Sequence, residues 1–192
     1  MDIGVASDTW AGAPDGRMAQ MFQEAGIKSI EWNLEETPYP LPDDSFDVVV
    51  MTEVYEHLRD YPVRSLEEVR RILRPGGRLY FTTPNAAYLM NRLRLLKGQS
   101  TATPLADWIG GLPHARHARE YTFAEVDSLL RYARLRSVAR YGREFHLASG
   151  IKGQAKKAVN LLARVRPELG PFIVYVAECT PLPYGESTSR LP

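Results

Sequence analysis

The sequence predicts an α/β fold, and three observations carry that prediction. Residues 46–51 (FDVVVM) form a β-branched run without alternation, residues 78–83 (RLYFTT) read as a second strand, and a capped amphipathic stretch lies between them. Strand, crossover helix and strand in that order make a βαβ unit, which implies parallel pairing and a right-handed crossover. Helix and strand patterns continue to alternate downstream, which sets the class.

Taken in chain order, the first clear signal is the turn-rich stretch 38–45, with Pro38, Pro40, Pro42, Asp43 and Asp44. The run at 46–51 that follows suits a strand buried on both faces, as in a parallel sheet covered by helices. Ser65-Leu66-Glu67-Glu68 has the form of a capping box, and Leu66, Val69, Ile72 and Leu73 place apolar groups on one helical face. Pro75-Gly76-Gly77 should stop that helix and turn the chain into the strand at 78–83. A second capping box, Thr122-Phe123-Ala124-Glu125, opens a helix with Val126, Leu129, Leu130 and Ala133 on one side. Residues 135–141 and 172–178 (FIVYVAE) read as strands, and 151–165 as a helix that is basic on one side. The Pro/Ser-containing residues 181–192 read as a flexible tail behind a single domain spanning 1–180.

Composition narrows the function. A chain of 192 residues with 44% hydrophobic and 24% charged residues suits one globular domain. Lys+Arg 24 against Asp+Glu 23 leaves a net charge of +1, so no excess of cations is available for a nucleic-acid partner. The single Cys179 excludes an internal disulfide framework and a multi-cysteine zinc site. No apolar run approaches the ~18–20 residues that span a bilayer, and Met1-Asp2-Ile3-Gly4 lacks a secretory pattern. The expectation is a cytoplasmic protein without stable membrane insertion.

The run PYPLPDDSFDVVVMTEVYEHL, followed by RRILRPGGRLYFTTPN, resembles the class I S-adenosylmethionine-dependent methyltransferases. Within them it is most similar to the small-molecule and glycan-modifying group of the type 11 kind. The later HAREYTFAEVDSLLRYARLRSV resembles the same group, and the likeness covers roughly residues 26–178. It implies a doubly wound, Rossmann-like, mostly parallel sheet of seven strands whose last strand is antiparallel and inserted near the edge. Residues 46–51, 78–83, 135–141 and 172–178 would be its fourth, fifth, sixth and seventh strands. The cofactor S-adenosylmethionine would lie across the carboxyl ends of the early strands.

One departure matters. Such enzymes open with a strand and a D/E-x-G-x-G-x-G turn, where glycines let the backbone approach the cofactor. Two alignments compete for the start of this chain. In one, Asp2 and Gly4 hold the first two places of a degenerate loop in which Ala6 and Asp8 replace later glycines. In the other, Ile3-Gly4-Val5 is already the second strand and the loop lies upstream. Under either, the amino-terminal strand is truncated or absent, so the alternative is a homologue without catalysis that acts as a binding or structural partner.

For the site, the resemblance implies cofactor contacts from Asp2, Gly4, Asn33, Leu34, Thr52 and Glu53, with Trp32 and Glu35 nearby. Bland alternatives stand beside these: Glu53 as a helix-start carboxylate, Asn33 as a plain loop residue, Trp32 as core. Glu56-His57 matches the family's EH pair, where His57 is a base for a hydroxyl acceptor or a structural residue at a strand–helix junction. Asn85 and Tyr88 stand on the acceptor side, against the alternative that Asn85 caps a helix starting at Ala86. His114, His117, Arg119 and Tyr121 read as a substrate-facing lid. The three-residue histidine spacing lacks a supporting carboxylate or thiol pattern, so no metal is expected. The basic stretches 91–97 and 152–166 steer an anionic or lipid-linked acceptor, or are solvated helix faces. The activity implied is methyl transfer to a small-molecule or glycan acceptor, and a homodimer is left open.

Overall fold

The computed structural model describes residues 4–7, 16–102, 104–110, 117–145 and 150–180. Among them the elements run β1 (Gly4–Ser7), α1 (Gly16–Glu24), β2 (Lys28–Glu31), β3 (Phe46–Thr52), α2 (Pro62–Ile72), β4 (Leu73–Pro84), α3 (Leu89–Leu96), α4 (Leu105–Gly110), α5 (Phe123–Tyr132), β5 (Leu135–Arg143), α6 (Gly150–Val165) and β6 (Phe172–Cys179). Short 3-10 turns at Tyr55–His57 and Pro167–Leu169 join them. None of the described helices is long and apolar enough to cross a membrane.

Four strands form one mixed sheet in the order β3-β4-β6-β5. β3 and β4 are parallel, while β6 is antiparallel to both of its neighbours. That is the fourth, fifth, seventh, sixth order expected from the sequence, with the last strand inserted. β1 and β2 pair in parallel in a two-stranded sheet, Gly4 opposite Lys28 and Ser7 opposite Glu31. Gly4 therefore stands in a strand rather than in a glycine-rich turn, which fits the alignment that makes this segment the second strand. Asp2 and the tail at 181–192 lie outside the described residues.

The core of the four-stranded sheet is aromatic and aliphatic. Phe81, Leu79, Ile173, Tyr175 and Ala177 point into it from β4 and β6, with Leu66, Val69, Val126 and Leu130 supplied by α2 and α5. Tyr175 keeps its hydroxyl satisfied there by sharing its one proton between Asp127 Oδ1 at 2.7 Å and the Phe123 carbonyl at 3.2 Å, as a buried phenol requires. The backbones of Gly142 in β5 and Gly170 before β6 touch: a Cβ on Gly142 would stand 1.9 Å from the Pro167 carbonyl oxygen.

Three expectations need correction. The segment at Ser65 is not a cap, because Pro62 at the first helical position starts α2 a turn earlier. Ser65 instead donates its hydroxyl to the Leu34 carbonyl at 2.9 Å, and Glu68 accepts from the Tyr39 amide and from Arg71. The second capping box, at Thr122 and Glu125, is present in full. Next, the Pro75-Gly76-Gly77 segment does not separate helix from strand. β4 begins at Leu73 opposite Phe46, and an irregularity with Gly76 at φ +82° precedes the regular register from Val48–Arg78 onward. Finally, β3 is not buried on both faces: Val48 and Val50 are 47% and 65% exposed. Those side chains alternate with half-buried Val49 and buried Met51, so only one face of this strand meets the core.

Candidate functional site at the carboxyl end of β3

β3 delivers Thr52 to the sheet's edge, and the chain then turns sharply. Glu53 adopts φ 53°, an uncommon left-handed conformation for a residue with a side chain. β4 holds it there: the Glu53 amide donates to the Thr82 carbonyl at 3.1 Å, and its Oε1 accepts from the Thr82 hydroxyl at 2.7 Å.

The 3-10 turn that follows is anchored by Tyr55, which is fully buried against Phe81 and Tyr121 with ring centroids 5.3 and 5.2 Å away. This anchor carries Glu56 inward and leaves His57 near the surface, at 1% and 17% side-chain exposure. Glu56 Oε2 accepts from the Thr83 hydroxyl at 3.0 Å. Its backbone carbonyl accepts the amides of Ala118 and Arg119 at 2.7 and 3.1 Å, which draws the later segment across the turn. His117 thereby packs edge-on to His57, ring centroids 5.1 Å apart, while its Nδ1 meets Glu120 Oε1 at 3.0 Å. Glu56, His57 and His117 each present one donor atom, and these lie within 4.8 Å of one another.

Electrostatics follow from the burial. Desolvation pushes the Glu56 carboxyl up to about 7, and the nearby Glu53 charge adds to the rise. The hydrogen bond to Glu120 raises His117 above its ordinary value against the opposing effect of burial, with the charges of Glu56 and Glu53 assisting. An open cleft of about 1020 Å³ adjoins the cluster, lined among others by Arg59, Trp108, His117, Arg119, Tyr121 and Tyr132.

The other candidates fall in two groups. After β2, Asn33 closes an Asx turn, its Oδ1 accepting from the Glu35 amide at 3.0 Å and its Nδ2 donating to Glu36 at 3.2 Å. Leu34 is buried, and its carbonyl accepts from the Tyr39 and Ser65 hydroxyls. Glu35 ties this turn to the other side of the site, its carboxylate accepting the amides of Arg59 and Asp60. Trp32 packs partly buried against the core and donates to the Glu36 carbonyl at 2.8 Å. On the acceptor side, Asn85 does not cap a helix at Ala86, since α3 starts at Leu89 with Tyr88 preceding it. Asn85 is 1% exposed, and its amide clasps the carbonyls of Glu168 and Gly170 at 3.0 and 2.7 Å. Those bonds tie the end of β4 to the turn before β6. Tyr88 is partly exposed, and His114 lies outside the described residues.

Sequence spacing alone did not join His117 to Glu56-His57. The link is made by backbone bonds from Ala118 and Arg119 to the Glu56 carbonyl, which leave no trace in residue types.

The family model for a methyltransferase domain matches residues 8–81. A protein of Mycolicibacterium smegmatis named "Probable S-adenosylmethionine-dependent methyltransferase" is 40% identical over 101 residues, which are 53% of this chain and 32% of that protein. A protein of Mycobacterium tuberculosis, strain H37Rv, with the same description is 36% identical over 116 residues, 60% of this chain and 35% of its own. The chain thus spans about a third of the length of the curated relatives it matches. Among solved structures, S-adenosylmethionine-dependent methyltransferases from Methanosarcina mazei share the fold with a TM-score of 0.58 at 18% identity, over 93% of this chain and 82% of that one. The 1,6-didemethyltoxoflavin-N1-methyltransferase of Burkholderia thailandensis does so with a TM-score of 0.55 at 16% identity, over 93% and 61%. Residues 8–81 thus match a methyltransferase-domain family model, and the chain shares the fold of these solved methyltransferases.

Polar groups stand at the carboxyl ends of both β3 and β2. Thr52 and Glu53 expose polar groups at the carboxyl end of β3, and the left-handed Glu53 backbone keeps them at the strand's tip. At the other strand, the Asx turn of Asn33 orders the 33–36 loop after β2, with Glu35 fixing it to Arg59 and Asp60.

Proposed function

We propose that this chain binds S-adenosylmethionine across the carboxyl ends of β2 and β3 and takes part in methyl transfer to a hydroxyl of a small-molecule or glycan acceptor. The observation that carries the reading is the junction at Thr52–His57, where a left-handed strand end leads to His57, which packs against the cleft-lining His117. Thr52 and Glu53 would hold the methionine end of the cofactor, and the loop of Asn33, Leu34 and Glu35 its ribose or adenine end. The bound cofactor supplies a sulfonium methyl that is displaced in line.

The chain's own residues then align the acceptor and manage its proton. Glu56, His57 and His117 form the polar cluster facing that task, and Arg119 and Tyr121 line the cleft beside them. The test is transfer of labelled methyl groups to a panel of hydroxyl, amine and nucleic-acid acceptors. The reading predicts incorporation into hydroxyl acceptors, and a loss of at least ~10²-fold in kcat for His57→Ala, as expected for a group that handles the transferred proton. Incorporation confined to amines or nucleic acid would overturn the acceptor class.

A further inference from the structure

The cluster at the cleft has a chemistry that hydroxyl orientation alone does not require. Two imidazoles and one carboxylate converge from two distant segments of the chain, with one donor atom each inside a 4.8 Å span. His57 and Glu56 are already close, Nε2 to Oε1 at 3.9 Å. We propose that Glu56, His57 and His117 form a binding site for a divalent first-row transition metal of the zinc class.

Four features of the structure support it. First, the donor set is right: two histidines and a carboxylate suit zinc, iron, cobalt or nickel, whereas magnesium and calcium favour all-oxygen sites. Second, the outer shell is built. Glu120 accepts from His117 at Nδ1, which sets the tautomer and leaves Nε2 as the ligand atom, the carboxylate–histidine arrangement found behind metal-bound imidazoles. Thr83 holds Glu56 in the same manner from the opposite side. Third, the charge balance suits a cation, because Glu56 brings a carboxylate in among the two imidazoles. Fourth, the size is near what a metal needs. Bonds of ~2.0–2.2 Å at tetrahedral angles place ligand atoms ~3.3–3.6 Å apart, so donors at the far end of the 4.8 Å span must close by ~1.2–1.5 Å. His57 and His117 are partly exposed, at 17% and 31%, and rotation of their side chains is the movement this requires.

Three protein ligands leave a coordination position for another group, the pattern of a metal that acts on a substrate rather than one that only braces a fold. His117 also lines the cleft, so an ion held here meets whatever the cleft contains. Resting on the methyl-transfer reading, the ion's role would be to take the acceptor's hydroxyl oxygen as a ligand. Metal binding lowers the pKa of a coordinated O–H, so the oxygen attacks with its proton already released to solvent.

The test is a cobalt(II) titration of the full, metal-stripped chain, followed by visible d–d absorption and by calorimetry. The expected result is one saturable site whose absorption bands report mixed nitrogen and oxygen ligation. His117→Ala should abolish those bands. Glu120→Gln, which removes only the group behind His117, should weaken binding by ~10–100-fold while the fold is retained. Absence of saturable binding, or a site that His117→Ala leaves unchanged, overturns the proposal. A parallel titration of the metal-stripped chain with S-adenosylhomocysteine separates the two readings. Cofactor binding without metal binding would leave methyl transfer standing and remove the metal, and the reverse would do the opposite.

Discussion

Strands β3 and β6 are both short apolar runs, yet they live in different surroundings. In β6, Ile173, Tyr175 and Ala177 are fully buried, and the strand is paired on both sides. In β3, Val48 and Val50 are 47% and 65% exposed, and among the described residues only β4 pairs with the strand. Burial of a strand is therefore set by what lies against it, and a run of valines reports only the capacity to be buried. The candidate site sits on the less enclosed strand. Its rigidity comes from its neighbour: Thr82 and Thr83 of β4 hold Glu53 and Glu56, and Tyr55 pins the turn between them into the core.

The contrast can be broken most sharply by truncation. Ile173→Ala should cost ~2–5 kcal/mol in urea-induced unfolding, because the cavity opens where the core is tightest. Val50→Ala should stay within ~0.5 kcal/mol, as for an exposed position. Equal costs would mean that β3 is as enclosed as β6. Gly142→Ala sharpens the same point on the β5–β6 side. The added methyl meets the backbone of Pro167 rather than a side chain that could move aside, so a loss of at least ~1–3 kcal/mol is expected by the same measurement. Asn85→Ala removes the clasp on Glu168 and Gly170 and leaves buried carbonyls with fewer donors. A loss of ~1–3 kcal/mol is expected, and the methyl acceptor's KM should change little if Asn85 positions β4 without touching the acceptor.

Much of the fold was legible because its signals are local. The Thr122 capping box needs only its own four residues, and it forms as read, with the Thr122 hydroxyl accepting from the Glu125 amide at 3.3 Å. The Ser65 segment has the same pattern and fails, because Pro62 starts the helix earlier and Leu34 claims the hydroxyl from outside it. Local pattern decides only where no distant group competes. The site divides in the same way. Thr52, Glu53 and His57 follow directly from a strand that the sequence marks. Joining His117 to them takes the hydrogen bonds of Ala118 and Arg119 to the Glu56 carbonyl, and backbone bonds of that kind have no residue code. Asn85 reads locally as an acceptor-side or helix-capping residue, whereas its buried contacts with Glu168 and Gly170 lie far along the chain.

The most direct test of the central claim is calorimetric titration of the folded chain with S-adenosylhomocysteine, with Glu53→Ala alongside. The account predicts saturable binding by the natural sequence at micromolar ligand and a clear weakening in the variant. A folded chain that takes up no ligand, or that binds equally well without the Glu53 carboxylate, would contradict the placement of the cofactor at the end of β3.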